Sequence, residues 1–298
     1  MTRHLIHVGY PKTGSNALRA WFAAHPQIAF QDGAIAGWRS VYEIATNAAE
    51  VDDGNAWRVT SGEGLATPHP GVGRRRVDYA SFEAGEVAAG QARVCDELLA
   101  LFPGAAILVV TRGFRAMLLS SYSQYVRTGG RLDFAAFCRA DLEGVWDYDR
   151  LTGLYEAAFG AGNVIVLPYE RLRDDPQGFL ADLAGRMGLD PLALPMPMLN
   201  AAVSPAALAW FPRFARRLPP ALFARAAAGA WLDRLARLLQ KLRPLPLPDE
   251  SAVPESLLRR YQACAVRLRR RPGFAAYVSD YGGEPAAPRS EASAAAGG

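Results

Sequence analysis

HLIHVGYPKTGSNALRAWFAA, residues 4–24, places three kinds of local sequence in one short run. His4 to Gly9 is short and mostly apolar, the composition of a buried strand. Gly9-Tyr10-Pro11-Lys12-Thr13-Gly14-Ser15-Asn16 is a turn punctuated by Gly and Pro, and Ala17 to Ala24 is a helical segment that stops before His25-Pro26. Strand, glycine loop and helix in that order form the opening unit of a nucleotide-binding α/β fold. Such a loop turns backbone N–H groups and the positive end of the helix dipole toward an anion. Lys12 adds a full charge, and Thr13, Ser15 and Asn16 add side-chain donors. The Walker pattern requires its lysine directly after the second glycine. Lys12 instead precedes Gly14 by two positions, which is the wrong register for an ATP γ-phosphate with Mg²⁺. Taken without any other motif, the loop would be an ordinary strand-to-helix turn.

Working outward, Trp57 to Ser61, Ala105 to Thr111 and Asn163 to Leu167 read as further strands. The run Ala105 to Thr111 shows no alternation, which suits a central parallel strand covered on both faces. Helices are expected over Phe114–Val126, Leu132–Cys138, Tyr148–Phe159 and Pro176–Met187. After a connector at Pro195 and Pro197 come helices at Pro205–Arg217 and Pro220–Leu242, and a last one over Glu255–Leu268. The expected architecture is a P-loop-like three-layer α/β fold, with a central parallel sheet and a C-terminal helical cap. It forms one domain over 1–283 with a helical insertion at about 205–243. Residues 284–298, EPAAPRSEASAAAGG, have the composition of a disordered tail.

The chain has 298 residues, half of them hydrophobic, which is enough for a sizeable core. Cys95, Cys138 and Cys264 are scattered and fit no metal or CxxC spacing, which points to a reducing compartment. No cleavable leader or long uncharged apolar run is seen, so the expected location is the cytoplasm, including the inner face of a membrane. The net charge is +4, yet residues 205–243 hold eight Arg or Lys against Asp233 alone. The remainder is slightly acidic, which disfavours a general nucleic-acid surface. The same stretch carries Trp210, Phe211, Phe214, Phe223 and Trp231. Helices that pack these aromatics inward, or a lid whose arginines hold an acidic acceptor, are favoured over peripheral contact with an anionic membrane.

A second motif follows the central strand. In TRGFRAMLLSSYSQYVRTGG, Arg112 ends the strand and Ser120 lies two turns into the next helix. The two could converge on one phosphate, which the planar fork of arginine binds through two oxygens. Taken alone, Arg112 would be a strand-end arginine in a surface ion pair. Together the motifs resemble those of sulfotransferases that use 3′-phosphoadenosine 5′-phosphosulfate (PAPS): GYPKTGSNAL resembles their 5′-phosphosulfate loop, and Arg112 with Ser120 their 3′-phosphate element. The resemblance implies that Lys12 stabilises the departing phosphate, that Thr13, Gly14, Ser15 and Asn16 cradle it, and that Arg112 and Ser120 hold the 3′-phosphate. Two departures stand out. Asn16 replaces the common Thr or Ser, and Gly113-Phe114 replaces the usual Asp or Asn with Pro. Pro168-Tyr169-Glu170-Arg171-Leu172 resembles a further family segment, which makes Tyr169 either a contact near the adenine or a core aromatic.

The implied reaction moves a sulfuryl group from PAPS to a hydroxyl or amine. It leaves 3′,5′-adenosine bisphosphate and requires no metal, because the donor carries its own activated group. A base must take the acceptor proton. The usual Lys-Thr-His context is absent, and neither His7, His25 nor His69 has family support. Glu63 closes Ser61-Gly62-Glu63 at a strand end and matches the carbohydrate-type branch, the alternative being a solvated loop glutamate. The expected acceptor is a carbohydrate or glycoconjugate, lipid-linked glycans included. A P-loop-type nucleotide kinase and a non-catalytic PAPS- or glycan-binding protein are the rival readings.

Overall fold

The computed structural model describes residues 3–33, 55–63, 65–67, 84–139, 145–194, 204–219, 222–223 and 230–283. The connector at Pro195 and Pro197 and the expected tail at 284–298 lie outside them. Strands β1 (Arg3–Gly9), β2 (Ile28–Gly33), β3 (Trp57–Glu63), β4 (Ala106–Thr111) and β5 (Val164–Pro168) form one sheet in the order β2-β3-β1-β4-β5. Every pairing is parallel. The fold is α/β, as expected.

Side chains alternate across this sheet between two cores. Ile6 and Val8 of β1 and Ile107 and Val109 of β4 face one side. Leu5, Leu108 and Val110 face the other. The first face is covered by helices α2 (Ala84–Leu101), α3 (Phe114–Arg127) and α5 (Tyr148–Phe159), which bury residues such as Leu98, Met117 and Tyr155. The short helix α4 (Phe134–Arg139) adds Phe137 to the same cluster. The second face is covered by α1 (Ser15–Ala24) and, beyond the short α6 (Tyr169–Asp174), by α7 (Pro176–Met187). Covering both faces of a parallel sheet in this way yields three layers.

Several elements differ from the sequence expectation. β2 is an unanticipated edge strand, and α2 is an unanticipated helix of 18 residues. The cap begins with α8 (Pro205–Arg217) at its expected bounds, started by the Ser204 hydroxyl that accepts from Ala207 N at 3.2 Å. Of the next segment, residues 222–223 and helix α9 (Ala230–Leu242) are described. Helix α10 (Glu255–Gln262) stops short of Leu268 and gives way to 3₁₀ turns. The reason lies in Asp149 of α5, whose carboxylate accepts from Arg267 N at 2.7 Å and Leu268 N at 2.8 Å. Those two N–H groups are satisfied across the fold instead of along a helix. The chain then runs through a 3₁₀ segment, Pro272–Tyr281, whose last tyrosine is fully buried.

His7 makes the sheet itself sensitive to acid. It is fully buried on β1, in register with Ser61 of β3, with Nδ1 and Ser61 Oγ 2.8 Å apart. Burial, aided by the positive Arg19, pushes its pKa down to about 4. The unfolded chain takes up this proton near the ordinary value of 6.5, so the unfolded state binds more protons between the two values. Stability from this group is therefore complete above the upper value and is lost as pH falls toward the lower one. His7→Gln is expected to flatten that loss by about 2 kcal/mol between pH 7 and 4.5, measured by urea melts at both pH values.

Candidate active site

The chain leaves β1 toward β2 on one side and leaves β4 toward β5 on the other. The crevice between β1 and β4 is thus the topological switch point, where open α/β sheets bind their ligands at the strand C-termini. Both sequence motifs open into it.

The first is the loop from Gly9 to Asn16. Lys12 stands in the left-handed region at φ 69°, and so does Gly14 at φ 81°. Holding a non-glycine residue there costs about 1–2 kcal/mol. Gly14 is confined as well. A Cβ on it would lie 2.6 Å from Leu172 Cδ2 and 3.2 Å from the Tyr169 ring. Gly14 is the N-cap of α1, which has no side-chain cap and no acidic residue in its first turn. The first N–H groups of that helix therefore point outward with the positive dipole end uncompensated. Ser15 is buried, and its Oγ has no hydrogen-bond partner. The hydroxyl of Thr13 donates to Tyr10 O at 2.7 Å, which closes the loop. Asn16 is exposed at the helix start.

The second motif meets the first directly. Arg112, just past β4, donates from Nη1 to Lys12 O at 2.8 Å. Its guanidinium lies over the Tyr169 ring, 4.7 Å from the centroid, and its buried Nε has no partner. Lys12, Gly14, Arg112 and Tyr169 thus form one contiguous group. Ser120 is partly buried, two turns into α3. Glu63 is the last residue of β3, and the strand register sets its Cα beside that of Gly9. Its side chain lies outside what the structure describes. Among the described residues, no group of three or more His, Cys, Asp or Glu side chains is disposed to hold a metal ion.

Residues 5–192, more than half of the chain, match the model of a family described as "Sulfotransferase family". The chain belongs to the sulfotransferase family. No curated protein matches it. Among solved structures it is similar to a sulfotransferase from Alicyclobacillus acidocaldarius, at 16% identity and a TM-score of 0.43, over 80% of this chain and 96% of that one. It is also similar to mouse sulfotransferase SULT7A1 complexed with PAP, at 14% identity and a TM-score of 0.39, over 64% of this chain and 60% of that one.

In this sulfotransferase, sequence reasoning missed the residues that hold Arg112. Glu170, fully buried beside Tyr169, accepts from Gly113 N through Oε1 at 2.9 Å and from the Tyr281 hydroxyl through Oε2 at 2.9 Å. That hydroxyl also lies 3.0 Å from Thr111 Oγ1. Tyr148 OH donates to Arg112 O at 2.7 Å. The turn Thr111–Arg112–Gly113 is therefore gripped on three consecutive residues. Burial, only partly offset by the two hydrogen bonds, holds the Glu170 carboxyl above the usual carboxylate range. The same packing accounts for Gly113 where the family usually carries Asp or Asn. A Cβ there would lie 2.6 Å from Asp280 Cβ and 3.0 Å from Asp280 O, on the C-terminal 3₁₀ segment. The sequence signal for Glu170 is its place directly after Tyr169 in Pro168–Leu172, where an acidic residue follows a strand end.

Proposed function

We propose that this sulfotransferase takes its sulfuryl group from PAPS and passes it to a hydroxyl or amine of a carbohydrate or glycoconjugate. The observation that carries the donor reading is the contact between Arg112 and the Lys12 carbonyl, which joins two anion-binding motifs at the switch point. The site fits a donor with phosphate at both ends. Ser15 Oγ and the uncapped start of α1 offer donors on the Lys12 side, while Arg112 Nε offers one on the other. PAPS supplies the sulfuryl group already activated by its anhydride bond to phosphate.

Lys12 keeps a positive charge where negative charge accumulates on the departing phosphate. Arg112 and Ser120 hold the 3′-phosphate, Thr13, Gly14, Ser15 and Asn16 hold the 5′ side, and Tyr169 lies along the nucleoside. Glu63 takes the acceptor proton, a role supported by its place at the end of β3 next to Gly9. The carbohydrate preference rests on the Ser61-Gly62-Glu63 context. Residues 1–283 work as one domain in the cytoplasm. Among the described residues no helix is long and apolar enough to cross a membrane.

Calorimetric titration with 3′,5′-adenosine bisphosphate, 5′-AMP and ATP–Mg²⁺ tests the donor. The bisphosphate is expected to bind at least tenfold more tightly than the other two. Arg112→Ala is expected to weaken it by about 10- to 100-fold, as for the loss of a charged hydrogen-bonding partner. Preference for ATP–Mg²⁺ would overturn the reading.

A further inference from the structure

The aromatic and basic segment at 205–243 does not bury all its aromatics. Trp210, Phe211 and Phe223 turn inward, and the Tyr122 hydroxyl on α3 donates to Leu208 O at 3.2 Å, which ties α8 to the body of the fold. Helix α9 docks on α8 through Leu232 and Ala236, both buried, and through Gln240, which accepts from Trp210 Nε1 at 3.0 Å. Its opposite side is different. Trp231 is 54% exposed, Leu238 54% and Leu242 73%. At 3.6 residues per turn these three fall within about 40° of one another, in a stripe about 16 Å long. Arg234 and Lys241 fall beside the stripe, about 60° and 80° from its centre, and Arg237 about 120° from it; all three are exposed, as is Arg243 just past the helix. Asp233 lies on the docked side, bonded by Ser204 and paired with Arg237 at 2.9 Å.

From this arrangement we infer that the outer face of α9 seats the protein on an anionic lipid bilayer. A tryptophan and two leucines in line suit shallow burial at the headgroup boundary, and a flank of Arg and Lys suits negatively charged headgroups. Charge complementarity selects this occupant. A second copy of the chain would bring two basic flanks together around the same stripe, whereas anionic lipid neutralises them. The face is separate from the anion site on β1 and β4, so the inference stands apart from the transfer reaction. It is read without turnover.

The test is co-sedimentation of the full chain with vesicles of phosphatidylcholine, with and without phosphatidylglycerol. Partitioning is expected to be at least tenfold stronger with phosphatidylglycerol and to weaken as salt rises. Arg234→Gln with Lys241→Gln is expected to weaken it by about fivefold per charge removed. Leu238→Ser with Leu242→Ser is expected to abolish it. Both pairs are exposed, so thermal melts should match the unaltered chain. An absence of binding at low salt would overturn the inference. So would binding indifferent to the leucine pair, or a dimer in solution that this pair dissolves, which would assign the stripe to a second copy. Loss of bisphosphate binding would sink the donor reading and leave this one standing.

Discussion

Lys12→Ala is expected to lower kcat by about 10²- to 10³-fold while 3′,5′-adenosine bisphosphate still binds, the usual consequence of removing one preorganised charge from the reacting centre. The separation follows from where the backbone is held. Arg112 grips the carbonyl of Lys12, and Thr13 closes the loop onto Tyr10. Neither contact uses the lysine side chain. Alanine at φ 69° suffers about the same strain as lysine, so the loop should keep its shape. What disappears is the charge, and the departing phosphate requires it more than the resting ligand does. Steady-state rates beside calorimetry on the same protein settle the matter. Unchanged turnover would remove Lys12 from the chemistry. A parallel collapse of bisphosphate binding would make it a residue that merely shapes the loop.

The ease of reading different parts from sequence tracks how local their causes are. β1 and β4 were legible because a parallel strand covered on both faces needs an uninterrupted apolar run, and Ala106–Thr111 is buried at every position. β2 was not legible. Ile28–Gly33 is an edge strand that pairs only with β3, and it ends in Gln-Asp-Gly, which resembles a turn. Helix α2 was hidden by Gly85 and Gly90 and by sparse apolar positions, though Val87, Val94 and Leu98 do bury one stripe. In the candidate site, the places of Lys12 and Arg112 at strand ends were legible because each sits in a short motif. Their contact was not, since it spans 100 residues. The outward turn of Trp231 was equally hidden. Composition placed aromatics and arginines in the same helices, and only the packing of Leu232 and Ala236 against α8 decided which side was left to solvent.

Glu170→Ala is expected to cost roughly 3 kcal/mol of stability, because it leaves the buried Gly113 N–H without its acceptor and takes one partner from the Tyr281 hydroxyl. The effect should reach the proposed donor site. Freed from Glu170, the turn carrying Arg112 loses the hold on Gly113 and keeps the Tyr148 and Thr111 contacts and the bond from Arg112 to Lys12 O, and bisphosphate affinity is expected to fall about tenfold. Glu170→Gln separates positioning from bulk destabilisation. Its amide oxygen still accepts from Gly113 N, and its NH₂ can donate to Tyr281 OH, whose proton then turns to Thr111. Affinity should return with it. The glutamine also removes a titration. The folded carboxyl holds its proton to higher pH than the unfolded one, so the folded state binds more protons above the usual carboxylate range. Stability from Glu170 therefore falls as pH rises through that window, and urea melts of the Gln variant should lack the fall. Should the Ala variant lose stability but bind the bisphosphate normally, the link between Tyr281, Glu170 and Arg112 is structural only.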